Sequence, residues 1–211
     1  MAGIYVHIPF CKQACHYCDF HFSTQLTHKK EMLTALQTEI RLRAAQFSNP
    51  VETIYFGGGT PSLLQPFEIT ELIELVEKEY NLIENPEITL EANPDDLSLA
   101  RLQSLYNTPV NRLSIGIQSF DNRELKMMNR VHNATQSFRC LEEAKQFFEN
   151  ISIDLIYGMP ESTLSSWQKN IDQALAFELP HISSYALTIE PKTALHSFVK
   201  KELIVPLEKE L

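Results

Sequence analysis

Six short runs rich in Ile, Val, Leu and Tyr recur along the chain, at 4–8, 53–56, 87–91, 112–117, 151–156 and 181–187. Most are nearly continuous in apolar character, the pattern of strands buried on both faces of a parallel sheet. Helical stripes lie between them. Met32, Leu36, Ile40 and Ala44 recur at every fourth residue, and Ile69, Leu72, Ile73, Val76 and Tyr80 form a second stripe. Ser98 caps a predicted helix carrying Leu99, Leu102 and Tyr106, and Asp121 with Glu124 starts a short helical turn. Thr135 is the expected start of a helix with Phe138, Leu141, Ala144 and Phe148 on one face, and Thr163 precedes Leu164, Trp167, Ile171 and Leu175.

Six β/α repeats fit an open doubly wound sheet or an incomplete barrel. The unusual polar residues separate the two. They fall at the C-terminal ends of successive runs: a cysteine loop after the first, Gly57–Gly59 and Thr60 after the second, Glu91, Gln118, Asp154 with Gly158, and Tyr185 with Glu190. An open sheet brings few strand ends together, whereas a ring gathers them all. The expected fold is therefore α/β, a partial (β/α)6 TIM-like barrel.

The 211 residues, 44% of them hydrophobic, suit one domain with a sizeable core. A net charge of −9 without a basic stripe argues against nucleic acid as the main partner. The N-terminus has no signal-like segment and no stretch is long enough to span a bilayer, so a cytoplasmic location is expected. In that reducing setting, clustered cysteines point to metal or catalysis, not disulfides.

Cys11, Cys15 and Cys18 form C-x3-C-x2-C, and Cys140 lies far downstream. Three thiolates can hold three irons of a [4Fe-4S] cube and leave the fourth open. A Cys3His zinc site completed by His7, His16 or His21 is the alternative. Gly57–Gly59 lets backbone approach a ligand closely, or makes a tight turn, and no Walker lysine follows. Glu91, Gln118 and Asp154 on consecutive strands suggest a polar ligand over the mouth, although Glu91 could instead pair with Arg112. Arg130 could bind a carboxylate, and His132 stands out among the histidines beyond the cysteine loop.

These motifs together resemble the radical S-adenosylmethionine (SAM) superfamily. The cysteine run has its C-x3-C-x-aromatic-C form, with Tyr17 as the aromatic, and Gly-Gly-Gly-Thr-Pro follows at 57–61. Tyr-Val-His-Ile-Pro-Phe-Cys at 5–11, Gly-Ile-Gln-Ser-Phe and Asp-Leu-Ile-Tyr-Gly-Met-Pro resemble the oxygen-independent coproporphyrinogen oxidase group. The dehydrogenases of that group carry a fourth cysteine where this chain has Phe20, a departure similar to the HemW branch of heme chaperones.

The resemblance implies that Cys11, Cys15 and Cys18 ligate a [4Fe-4S] cluster. It implies that Tyr5, Tyr17, Gly58 and Glu91 hold SAM, with Tyr17 near the adenine. Gly59, Thr60, Gln118, Arg130, Asp154 and Ala186 match the set that holds a second SAM in the dehydrogenase. It further implies heme or porphyrin as ligand, an acceptor protein for heme and a reductant protein. The alternatives are coproporphyrinogen III dehydrogenation in porphyrin biosynthesis, or an inactive fragment. Residues 1–190 are expected to be the radical SAM core and 191–211 the start of a truncated C-terminal region. The family's heme-associated His-Asn motif belongs to that later region, so heme enters through the family alone.

Overall fold

The computed structural model describes residues 2–207. The expected C-terminal region thus lies partly outside the described residues. Six strands form one sheet: β1 (Gly3–Ile8), β2 (Val51–Gly58), β3 (Leu82–Ala92), β4 (Arg112–Gln118), β5 (Asn150–Tyr157) and β6 (His181–Ala186). The helices are α1 (Lys29–Ala44), α2 (Pro66–Glu79), α3 (Leu99–Tyr106), α4 (Asn122–Met127), α5 (Ala134–Ala144), α6 (Leu164–Leu175) and α7 (Ala194–Lys200).

Every strand pairs in parallel with its neighbours in sequence, in the order β1-β2-β3-β4-β5-β6. A doubly wound sheet would reverse its order partway. This one runs in a single direction and stays open, so the partial-barrel expectation holds.

The helix starts have local causes. At α2, Gln65 and Glu68 form a reciprocal capping box and Pro66 presets the first turn. Ser98, Asp121 and Thr163 cap α3, α4 and α6, as the sequence predicts. The start of α5 differs. Asn133 accepts from the Gln136 N–H at 3.0 Å, and the Gln136 side chain accepts from the Asn133 N–H at 2.9 Å. That box begins the helix ahead of Thr135. The sequence analysis did not anticipate α7, which Thr193 caps.

The strands are not buried alike on both faces. Ile54, Phe56, Ile88, Leu90, Leu113, Ile115, Ile151, Ile153 and Leu155 pack in the core under the helices. Their neighbours in the period-2 alternation are Tyr55, Thr89, Glu91, Arg112, Ser114, Ser152 and Asp154, which give the inner face a polar lining. Burying each core Leu or Ile contributes about 1.5–3 kcal/mol, so the helix-covered face dominates stability and the inner face is left for polar groups. No helix among the described residues is long and apolar enough to cross a membrane.

Candidate functional site

The cysteines lie on the long connection from β1 to α1. It closes on itself where the Cys11 N–H donates to the Ser23 carbonyl at 3.0 Å and the Ser23 N–H to the Pro9 carbonyl at 2.8 Å. Other elements then hold it from three sides. Lys12 pairs with Asp95 at 2.8 Å and with Asp96, both in the turn after β3. The Asn129 amide donates to the Ala14 carbonyl, and the Gln13 amide to the Asn129 carbonyl. The third anchor is His16. Its N–H donates to the Met128 carbonyl and its Nδ1 sits 2.8 Å from the Met127 carbonyl, at the end of α4. Its own carbonyl accepts from Leu195 in α7, and the Phe198 ring meets the imidazole edge-on with centroids 5.0 Å apart. These contacts make His16 a clamp, and its Nδ1 is occupied by a carbonyl.

The thiols of Cys11, Cys15 and Cys18 are free and half-buried. Burial pushes the Cys11 and Cys18 thiols up, and neighbouring cysteines raise these two further, so bare thiolates at both are costly. Arg130 answers part of that need, with Nη1 3.5 Å from the Cys15 sulfur. Among the described residues, no three His, Cys, Asp or Glu side chains converge on a single ion. Three thiols on one loop are the donor set of a cluster held at three irons, each thiolate taking a different one.

The glycine run packs directly under this loop. The Gly59 N–H donates to the Ile8 carbonyl at 2.9 Å and the Thr60 N–H to the Phe10 carbonyl at 2.6 Å. A Cβ on Gly59 would stand 2.7 Å from the Phe10 carbonyl oxygen and 2.8 Å from that of Ile8. Gly58 has φ +106°, a conformation side chains disfavour. Pro61 begins a 3₁₀ turn, and Thr60 is buried with its hydroxyl accepting from Asn93.

Glu91 closes β3 without an ion pair to Arg112. Tyr55 donates to its Oε1 at 2.7 Å and the Gly58 N–H to its Oε2 at 3.2 Å. Burial still raises the Glu91 carboxyl, as does the charge of Asp154. Asp154 is likewise raised by burial, against a hydrogen bond from Ser183. The mouth thus holds two carboxyls short of positive charge. Gln118 ends β4 at φ 67°, a strained position for a side-chain-bearing residue, next to an irregularity in the β4–β5 register. Arg130 donates to the Asn93 Oδ1 at 2.5 Å and to the Gly116 carbonyl at 2.9 Å.

Tyr17 packs beside Leu125, Met128, Ile156 and Met159, and burial raises its phenol. Tyr5 is 57% exposed in the middle of β1, stacked near Tyr55 with its hydroxyl 3.3 Å from His7 Nδ1. Ala186 is exposed at the end of β6, opposite Tyr157. Most of the sequence-predicted residues thus lie at the C-terminal rim of the sheet or on the loops above it, while Tyr5 and Asp154 stand mid-strand. His132 is buried elsewhere in purpose: its Nε2 sits 3.1 Å from the Ile117 carbonyl, and burial depresses it to about 4. Sequence reasoning missed Tyr55, Asn93 and the Lys12–Asp95–Asp96 cluster. Asn93 had a signal, since it follows Glu91 within the same motif; the others depend on contacts between distant strands.

The chain is 39% identical over 209 residues to the heme chaperone HemW of Bacillus subtilis, covering 95% of this chain and 54% of that one. It is 37% identical over 206 residues to the mouse mitochondrial radical S-adenosyl methionine domain-containing protein 1, covering 95% and 46%. Coproporphyrinogen III oxidase (HemN) from Escherichia coli, a radical SAM enzyme, superposes with a TM-score of 0.85 at 30% identity, covering 97% of this chain and 48% of that one. The chain spans about half the length of the curated relatives it matches. Residues 5–174 match the family model described as Radical SAM superfamily, and the chain belongs to that superfamily.

Proposed function

We propose that this chain is the radical SAM core of a HemW-type heme chaperone, which passes heme to an acceptor protein. The family implies a [4Fe-4S] cluster and SAM. Cys11, Cys15 and Cys18 would hold the cluster. When bound and reduced, it supplies the electron that breaks the sulfonium carbon–sulfur bond of SAM. Tyr5, Tyr17, Gly58 and Glu91 would bind SAM: the carboxylate accepts hydrogen bonds, and two buried acids favour a cationic ligand. Gly59, Thr60, Gln118, Arg130, Asp154 and Ala186 line the rest of the mouth as the candidate set for a second molecule. Residues 1–190 form the core and 191–211 lead toward a further region that would carry heme. A reductant protein and a reducing compartment, the cytoplasm, complete the reading.

The observation that carries it is Phe20. It is 68% exposed where a fourth cysteine would mark the dehydrogenases, in a chain 39% and 36% identical to two HemW relatives. The second reading, coproporphyrinogen III dehydrogenation, is favoured by the fit to HemN. Anaerobic incubation of the reconstituted protein with reductant, SAM and coproporphyrinogen III separates them. The chaperone reading expects no protoporphyrinogen, together with a Soret band on addition of hemin that moves to an added apo-acceptor. Protoporphyrinogen formation would reject it.

A further inference from the structure

The side chains of Asp95 and Asp96, in the turn after β3, are only 8% and 4% exposed, and the Lys12 ammonium meets both. Asp95 Oδ2 lies 2.8 Å from Nζ. Asp96 turns Oδ1 to the same ammonium, and its Oδ2 accepts from the Ser62 hydroxyl at 2.7 Å. This turn shares a frame with the cysteine loop. The Asp96 N–H donates to the Asn93 carbonyl at 3.0 Å, the Asn93 amide to the Thr60 hydroxyl at 3.2 Å, and the Thr60 N–H to the Phe10 carbonyl at 2.6 Å. Cys11 stands between Phe10 and Lys12, so both its neighbours are tied to this frame.

Anchoring alone does not call for such a group. Asn129 and His16 already fix the loop by hydrogen bonds, and an ion pair with one partly exposed member adds only about 1 kcal/mol. Withdrawing two carboxylates from water for one ammonium leaves the turn one negative charge in excess. Solvent shields that charge little, and it lies within a lysine side chain's reach of the residue after Cys11. An iron–sulfur cluster gains negative charge when it takes up an electron, and its potential depends on the charges around it. Nearby carboxylates therefore oppose reduction, and an ammonium favours it.

We propose that Lys12, Asp95 and Asp96 form a charge triad that sets the reduction potential of the cluster on Cys11, Cys15 and Cys18. Lys12 favours the reduced state and the two acids oppose it. The proposal rests on the reading of those cysteines as cluster ligands. Its test is a redox titration of the anaerobically reconstituted protein without SAM, followed by the EPR signal of the reduced cluster. Iron per chain and melting temperature are the controls. At the parental midpoint, Lys12→Met is expected to lower the reduced-to-oxidised ratio about tenfold, a shift of about 59 mV for one electron. Asp95→Asn keeps an acceptor for the ammonium but removes the charge, and is expected to raise the ratio by a similar factor.

The opposite signs are the signature. Both substitutions weaken the same bridge, so a merely structural role moves the two midpoints the same way or not at all. Lys12→Arg keeps the charge and is expected to keep the parental midpoint, and the double variant Lys12→Met with Asp95→Asn is expected to fall between the two single ones. Midpoints that stay put or shift together, with iron retained, would overturn this inference alone. Where Lys12→Met loses iron, Asp95→Asn decides, and an unmoved midpoint there overturns the triad. A parent that reconstitutes no [4Fe-4S] cluster, or a Cys11→Ala variant that holds iron as fully as the parent, would overturn the underlying reading of the site.

Discussion

At Gly59, a single missing Cβ sets how closely the glycine run can lie against the cysteine loop. Its would-be neighbours are the Ile8 and Phe10 carbonyl oxygens, which are backbone and have no rotamer by which to yield. Gly59→Ala should therefore push the loop off the sheet, lower iron per chain after anaerobic reconstitution by at least about half, and cost roughly 1–3 kcal/mol in urea melts. Unchanged iron and stability would show that the loop adapts. His132 gives a prediction about pH. Its folded pKa of about 4 lies below the ordinary 6.5, so the unfolded chain takes up a proton that the native state refuses. Stability from this residue is full above pH 6.5 and falls as pH drops toward 4. Between pH 7 and pH 5 the parent should lose about 2 kcal/mol relative to His132→Gln, read as the difference between their denaturation curves. The sequence marked Glu91 because an acid closing an apolar strand must find a partner. Arg112, the alternative partner, does not pair with it; Tyr55 does, and a tyrosine inside an apolar strand looks like core until the strands are paired.

The helix α7 is the element least visible in the sequence. It is only seven residues long, too short for a periodic stripe to stand out. Its role comes from contact: Leu195 is 1% exposed, its N–H holds the His16 carbonyl, and Phe198 packs on the His16 ring. The cysteine loop is thus braced from a point 179 residues away in the chain, by the difference 195 − 16. Leu195→Ala removes most of a buried side chain and should cost about 2–4 kcal/mol locally. The expected result is faster amide exchange in α7 and in residues 11–18 together, and faster loss of cluster absorbance to a chelator, with β3 to β5 unaffected. Exchange rising in α7 alone would mean that the brace does not reach the cysteines. The capped helices were easier to read, because Ser98, Asp121 and Thr163 announce their ends by local chemistry. At α5 the reciprocal box of Asn133 and Gln136 outcompetes Thr135 for the same reason.

On the scale of the whole molecule, the architecture was legible because chemistry-bearing residues at six strand ends require a ring, and strand order follows chain order. The polar inner face was not. Apolar outer-face residues and bulky inner-face tyrosines merge into one hydrophobic run, which hides the alternation. That inner face ends at two edges, for among the described residues neither β1 nor β6 has a strand on its outer side. The β6 edge is the barer one: Ser184, Tyr185 and Ala186 are all exposed. An unpaired parallel edge offers main-chain donors and acceptors to another strand. Opposing this, a net charge of −9 on each copy repels its neighbours over about 10 Å at 0.1 M salt and over less at higher salt. Self-association should therefore grow with both protein and salt concentration. Ser184→Lys separates the two effects. It changes the net charge to −9 + 1 = −8, which weakens repulsion, while placing a charge on the edge strand itself. If the edge drives association, this variant stays monomeric in sedimentation velocity at salt where the parent does not, despite its smaller charge. Equal or greater association would assign the contact to another surface.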